Sequence, residues 1–148
     1  MKKKLSVLAL VVFMAGCITI EMGGDTTTAL VEVAARRLAY HSAIKYPDII
    51  EPGLALCHSG DAAVANEFEL KAFIYDVRQY VHIDFVQNDP LLMDDIETLA
   101  GLVSIDLEQP IGNLTDEQRQ LIDIAIGSFR SGLLTAKEVL ENERAKLE

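Results

Sequence analysis

The stretch "TDEQRQLIDIAIGSFRSGLLTAKEVL", Thr115–Leu140, decides the fold. Its apolar residues Ile122, Ile126, Phe129, Leu133, Ala136 and Leu140 recur alternately four and three positions apart. That spacing returns a side chain to one face of a helix, whereas a strand would alternate at every second position. The opening tetrad Thr115-Asp116-Glu117-Gln118 fits a capping box, in which the Thr115 hydroxyl and the Gln118 side chain satisfy reciprocal backbone amides. A long helix with an apolar seam is therefore expected, and a seam needs other helices to cover it. Fewer than three heptads are present, so the seam is expected to pack on the third and fourth helices of a single bundle; contact with another molecule is the other reading. Gly127 and Gly132 each lower helix propensity by roughly 1 kcal/mol. They mark either a bend or a place where a neighbouring helix comes close.

The helical period continues through the chain upstream. A first helix is expected to start within Thr26-Thr27-Thr28, whose hydroxyls suit an N-cap. Leu30, Ala34, Leu38 and His41 then share a face, and Tyr46-Pro47 ends the helix because the residue before proline is driven out of the helical region. A short second helix is expected around Asp48 to His58, stopped by Ser59-Gly60. Asp61 is read as the cap of a third helix carrying Leu70, Phe73, Val77 and Tyr80. Asn88-Asp89-Pro90 supplies a cap followed by proline at the first helical position, opening a fourth helix with Leu92, Ile96, Leu99 and Val103 on one face. Ser104 to Leu114 is an irregular connection in which "SIDL" permits a brief strand. The fold class is all-α: a small helical bundle of four main helices plus a short helix, forming one domain over residues 26–148.

The amino terminus has a different character. Met1 is followed by Lys2, Lys3 and Lys4, by the apolar run Leu5 to Met14, and by the small pair Ala15-Gly16 before Cys17. A charged segment, an apolar core and a small-residue processing site form an export signal. The run is too short to span a bilayer, which takes roughly 20 apolar residues. Met14-Ala15-Gly16-Cys17 resembles the lipobox of bacterial lipoproteins, with Met14 at the position usually held by Leu. The resemblance implies diacylglycerol on the Cys17 sulfur, cleavage before Cys17 and acylation of the new amino terminus, palmitate being the typical chain. Residues 1–16 are then a signal peptide, and residues 17–25 the lipidated cysteine and a short tether. Two or more acyl chains anchor stably where one does not. Ile18, rather than Asp, follows the cysteine; in enteric-type lipoproteins that points to the periplasmic face of the outer membrane when the organism is double-membraned.

Loss of the signal changes the charge balance. The full chain has 13 Lys+Arg against 23 Asp+Glu, and three of those 13 are Lys2, Lys3 and Lys4, so the mature body carries 10 against 23, a formal −13. Such a surface is repelled by nucleic acid and by anionic head groups, so no nucleic-acid partner is expected. With Cys17 consumed by lipid, Cys57 has no partner for an intramolecular disulfide. Its setting, Leu54-Ala55-Leu56-Cys57, suits a buried small hydrophobe.

The search for chemistry is mostly negative. His41, His58 and His82 fall in three segments without metal-ligand spacing, and Ser59 lacks the context of a nucleophile elbow. Asp89, Asp94, Asp95 and Glu97 are explained by capping and by the helix dipole, and no calcium loop is present. No catalytic residue, cofactor or metal is assigned, and the chain is read as a non-enzymatic protein. Tyr40, Tyr46, Phe73, Tyr75, Tyr80 and Phe85 are read as core, or as the lining of a pocket for an apolar ligand. The preferred expectation is an interaction or localisation module that reaches the membrane through the lipid on Cys17 and binds another envelope protein. In size and helicity the chain resembles pilotin-type secretion lipoproteins. The alternatives are a carrier or sensor of an apolar small molecule, and a phage-derived surface lipoprotein such as a superinfection-exclusion factor.

Overall fold

Thr115 caps the longest helix of the molecule in the way its sequence predicts. In the computed structural model, which describes residues 24–81, 88–106 and 112–147, the Gln118 amide donates to Thr115 Oγ1 at 3.1 Å. The Thr115 amide donates to Gln118 Oε1 at 2.9 Å, completing the capping box. The remaining helices are α1 (Gly24–Lys45), α2 (Ile50–Ala63), α3 (Glu67–Val81) and α4 (Pro90–Leu102), and the capped helix is α5 (Asp116–Ala145). A single 3-10 turn, Pro47–Ile49, joins α1 to α2. There is no strand among the described residues, so "SIDL" does not pair. The fold is the expected all-α bundle. The lipobox and Cys17, His82, Phe85 and the centre of the 104–114 connection lie outside the described residues.

The seam of α5 is buried as expected, with Ile122, Ile126, Leu133 and Ala136 inside and Phe129 and Leu140 half-buried. Its main partner is α1, however, rather than the third and fourth helices. The reason is side-chain size. Ala35, Ala39 and Ala43 of α1 have no solvent exposure, and a methyl group built on Gly132 of α5 would fall inside contact distance of the Arg36 carbonyl and 2.8 Å from Ala39 Cβ. Three alanines at helical spacing on α1, facing Gly132 on α5, let the two backbones approach closely. Val31 clusters with Ile122 and Ile126, while Ala39 and Ala43 cluster with Leu133 and Ala136. The first and last helices therefore run parallel. The buried stripe of α1 is Val31, Ala35, Leu38, Ala39, Ser42 and Ala43. It is rotated from the expected one, and His41 is exposed.

The second helix overrides its sequence signals. It runs through Ser59-Gly60 to Ala63, because Gly60 is a packing position and not a stop: a Cβ there would lie 2.7 Å from Ile126 Cδ1 and 2.8 Å from Phe73 Cζ. Gly53 similarly faces Leu133, so α2 descends antiparallel to α5. Ion pairs tie both ends of this contact, Lys137 with Glu51 at 2.7 Å and Arg130 with Asp61. Asp61 is thus a helix-surface charge, and the cap of α3 is Asn66, whose Oδ1 accepts from the Phe68 amide at 2.9 Å.

The last expected cap holds. Asp89 opens α4 ahead of Pro90 and accepts from the Leu92 amide at 3.4 Å. It also accepts from Lys45 and from the Tyr46 hydroxyl at 3.1 Å, pinning the start of α4 to the end of α1. Leu38 and Leu92 pack together one level inward. At its other end α4 stops in a Schellman arrangement: the Ile105 amide reaches back to the Ala100 carbonyl at 2.9 Å, and the Ser104 amide to the Gly101 carbonyl at 3.0 Å. Ser104 sits at φ 55°, the left-handed position usually given to glycine.

Candidate functional site

The helices do not close completely on one another. Between α1 and α5 on one side and α3 and α4 on the other lies a cavity of about 200 Å³. Leu38 and Ser42 reach it from α1, Leu56 and Cys57 from α2, and Phe73, Ile74 and Val77 from α3. The face of α4 comprising Leu92, Ile96, Leu99, Ala100 and Val103 forms one wall, and Ile122, Ala125, Ile126 and Phe129 of α5 form the opposite one. The helical periods put many of these residues, Phe73, Leu92, Ile96, Ile122 and Ile126 among them, on an inward face, whereas Ser42, Ile74, Ala100 and Ala125 lie outside the stripes read from the sequence, and no period indicates that the space among them is incompletely filled. The small side chains Ala100 and Ala125 are the signal that was available.

Polar atoms in the wall are spoken for. The Ser42 hydroxyl donates to the Leu38 carbonyl at 2.6 Å. Cys57 is buried, and burial pushes its thiol up to about 11, against a smaller opposing effect from the Arg130 charge. The thiol therefore stays protonated and behaves as a small hydrophobe, as its apolar setting suggests. Its neighbour His58 is exposed, and the charges that act on the sulfur are those of Arg130 and Asp61. Arg130 is held by Asp61 and by the Cys57 carbonyl at 3.3 Å.

Charge lies just beyond one end of the cavity, where the Lys45–Asp89–Tyr46 cluster caps the start of α4. The hydrogen bond from Lys45 holds the Asp89 carboxyl below its ordinary range despite the opposing effect of burial. The same bond raises the Lys45 ammonium.

The aromatic residues with described side chains do not assemble into a pocket. Of the four whose side chains are described, Tyr40, Tyr46, Phe73 and Tyr75, Phe73 alone borders the cavity. Tyr40 and Tyr46 are half-buried against the alanine-rich α1–α5 contact, Tyr75 is exposed, and the side chains of Tyr80 and Phe85 lie outside the described residues. His41 and His58 are both exposed on separate helices, and Asp94, Asp95 and Glu97 are exposed on α4. Among the described residues, no group of three or more His, Cys, Asp or Glu side chains is placed to hold a metal. No helix there is long and apolar enough to cross a membrane.

One feature of the outer surface is apolar. Phe68, Ala72 and Tyr75 lie at i, i+4 and i+7 on the outward side of α3, with Phe68 81% and Tyr75 58% exposed. Compared with known proteins, the chain matches no protein family, no curated protein and no solved structure.

Proposed function

We propose that this chain is a lipid-anchored, non-enzymatic envelope lipoprotein whose helical body takes up an apolar small molecule, as a carrier or sensor. The observation that carries the reading is the predominantly apolar lining, among the described residues, of a half-open space of about 200 Å³ between the helices. Protein interiors pack as densely as organic crystals, with few voids larger than a water molecule. An apolar cavity of about 150 Å³ stays dry and binds benzene. Unfilled apolar space of this kind forfeits packing contacts along its lining. An apolar occupant restores those contacts, which is a direct driving force for binding. Native mass spectrometry of the gently purified acylated chain tests the reading: a retained small molecule is expected, and a chain that stays ligand-free even when offered apolar compounds overturns it.

The anchor rests on the lipobox. Cys17→Ser is expected to abolish labelling by a clickable fatty acid and to release the protein from the membrane fraction, while Cys57→Ser leaves labelling intact. Persistent labelling of Cys17→Ser removes the anchor and the envelope location together.

The Phe68–Ala72–Tyr75 stripe favours a second reading, that of an interaction or localisation module for another envelope protein. Crosslinking in membranes tests it, with Phe68→Ser expected to lose a partner that the wild-type chain captures.

A further inference from the structure

We infer that the Phe68–Ala72–Tyr75 face of α3 rests on the head groups of a zwitterionic lipid surface, a second and non-covalent membrane contact beside the acyl anchor; the inference rests on the anchor reading above. The length of the tether and the point where it joins the body carry it. From Cys17 to Gly24, where α1 starts, the chain reaches at most about 25 Å at roughly 3.5 Å per residue. The anchor therefore holds the body close to the bilayer by the start of α1. Val31 stands about 10 Å further along that helix and packs in one cluster with Leu70, Phe73 and Ile74 of α3. Phe68 and Tyr75 flank those three residues in the chain, so the stripe lies on the tethered half of the body.

Its chemistry suits the head-group layer. Leu70, Phe73 and Ile74 are buried on the inner side of α3, which turns Phe68 and Tyr75 outward. Of the Phe and Tyr side chains described, these two alone are exposed, and the exposed Val33, Leu91 and Leu134 are aliphatic and stand on other helices. A phenol can bury its ring while its hydroxyl stays among the head groups, and the Phe68 ring sheds its water on entering the acyl boundary. Two rings alone bind a bilayer weakly. On so short a tether the contact becomes intramolecular, and a weak affinity suffices. Charge selects the lipid: exposed Glu69 and Asp76 adjoin the two rings, and the mature body is strongly acidic, so anionic head groups repel a face that zwitterionic ones accept.

The test uses the acylated full-length chain, which has no tryptophan of its own. It is made as Phe68→Trp and as Leu134→Trp, the latter an exposed position on α5 about 18 Å beyond Ile122, a member of the Val31 cluster. Each variant is reconstituted in phosphatidylcholine vesicles with and without bromine on the acyl chains, and the vesicles are floated to collect the bound protein. Expected is quenching by brominated lipid severalfold stronger for Phe68→Trp than for Leu134→Trp, with most of it lost when phosphatidylglycerol replaces much of the lipid. Equal quenching of the two floated variants, or none in either, overturns the stripe contact and leaves the anchor standing. So does a floated Phe68→Trp chain that is unquenched in vesicles and crosslinks to a protein in native membranes, which gives the face to the protein partner. Quenching undiminished by phosphatidylglycerol overturns the zwitterionic surface. Chains that do not float overturn the anchor and this inference with it.

Discussion

The close approach of α1 and α5 can be tested with one substitution made at two positions of the same helix. Gly127 and Gly132 both lie inside α5, so replacing either by Ala gains about 0.8–1.0 kcal/mol of helix propensity. A Cβ on Gly127 meets nothing within 4 Å, and Gly127→Ala should stabilise the protein by close to that full amount, about 1 kcal/mol. A Cβ on Gly132 runs into the Arg36 carbonyl and Ala39 Cβ of α1. Neither obstacle can rotate away, so α1 and α5 must separate along their shared alanine face. Overpacking of this kind costs about 1–3 kcal/mol, the upper part of the range where backbone is struck. Subtracting the propensity gain leaves Gly132→Ala less stable than wild type by about 1–2 kcal/mol. The assay is urea unfolding with the midpoint compared at constant slope. Opposite signs are expected for the two variants, separated by about 2–3 kcal/mol. A Gly132→Ala protein as stable as Gly127→Ala would refute the parallel α1–α5 contact on which the architecture is built.

Three further outcomes follow from groups described above. Because the folded-state pKa of Asp89 is depressed, its contribution is present above the unfolded-state value of about 4 and is lost as pH falls through the lower folded-state value. Asp89→Asn should flatten that acid limb of the stability profile, measured as urea midpoint against pH. Cys57 is shifted the other way, up to about 11, so stability should decline as pH rises from the unfolded-state value near 8.5 toward the folded one. Cys57→Ala should remove that decline, and in the wild-type chain at neutral pH iodoacetamide should modify the Cys57 thiol only as fast as the protein opens. Phe129 touches all three apolar clusters, and Phe129→Ala should cost about 3 kcal/mol, the lower end for a large aromatic because the ring is half-buried; a loss below about 1 kcal/mol would show that the seam is not core.

Local signals in the sequence were accurate where one residue's chemistry decides the outcome. The Thr115–Gln118 box and the Asp89-Pro90 start of α4 are both formed as read, since a cap depends on neighbours three positions away. Signals failed where a distant helix had the stronger claim. Ser59-Gly60 reads as a terminator, yet α2 continues because Gly60 is the only residue type that lets Ile126 and Phe73 so close. The α1 stripe was misjudged by about a residue because alanine counts little in a hydrophobic pattern, and here three buried alanines face Gly132 in a close helix contact. Ser104 occupies a glycine position without being glycine, which no propensity scale anticipates. The candidate site was legible in part, as the inward-facing stripes of α3, α4 and α5, with Ile74, Ala100 and Ala125 beside them unread. Its emptiness was not, because a void is a property of how helices are spaced, and spacing is decided by pairs such as Ala39 and Gly132 far apart in the chain.

That pairing of the first helix with the last also orders events in time. Ala39 and Gly132 are separated by about ninety residues of chain, whose closure costs roughly 4 kcal/mol in entropy. A ribosome finishes α1 long before the surface that covers it exists, so the alanine face must wait for the whole chain. Each nascent chain is committed to remain open until its carboxyl end arrives, and a premature stop anywhere before α5 yields a product with no completed core at all. On the proposed export route late closure is an advantage: the polypeptide stays threadable for as long as translocation needs it to be.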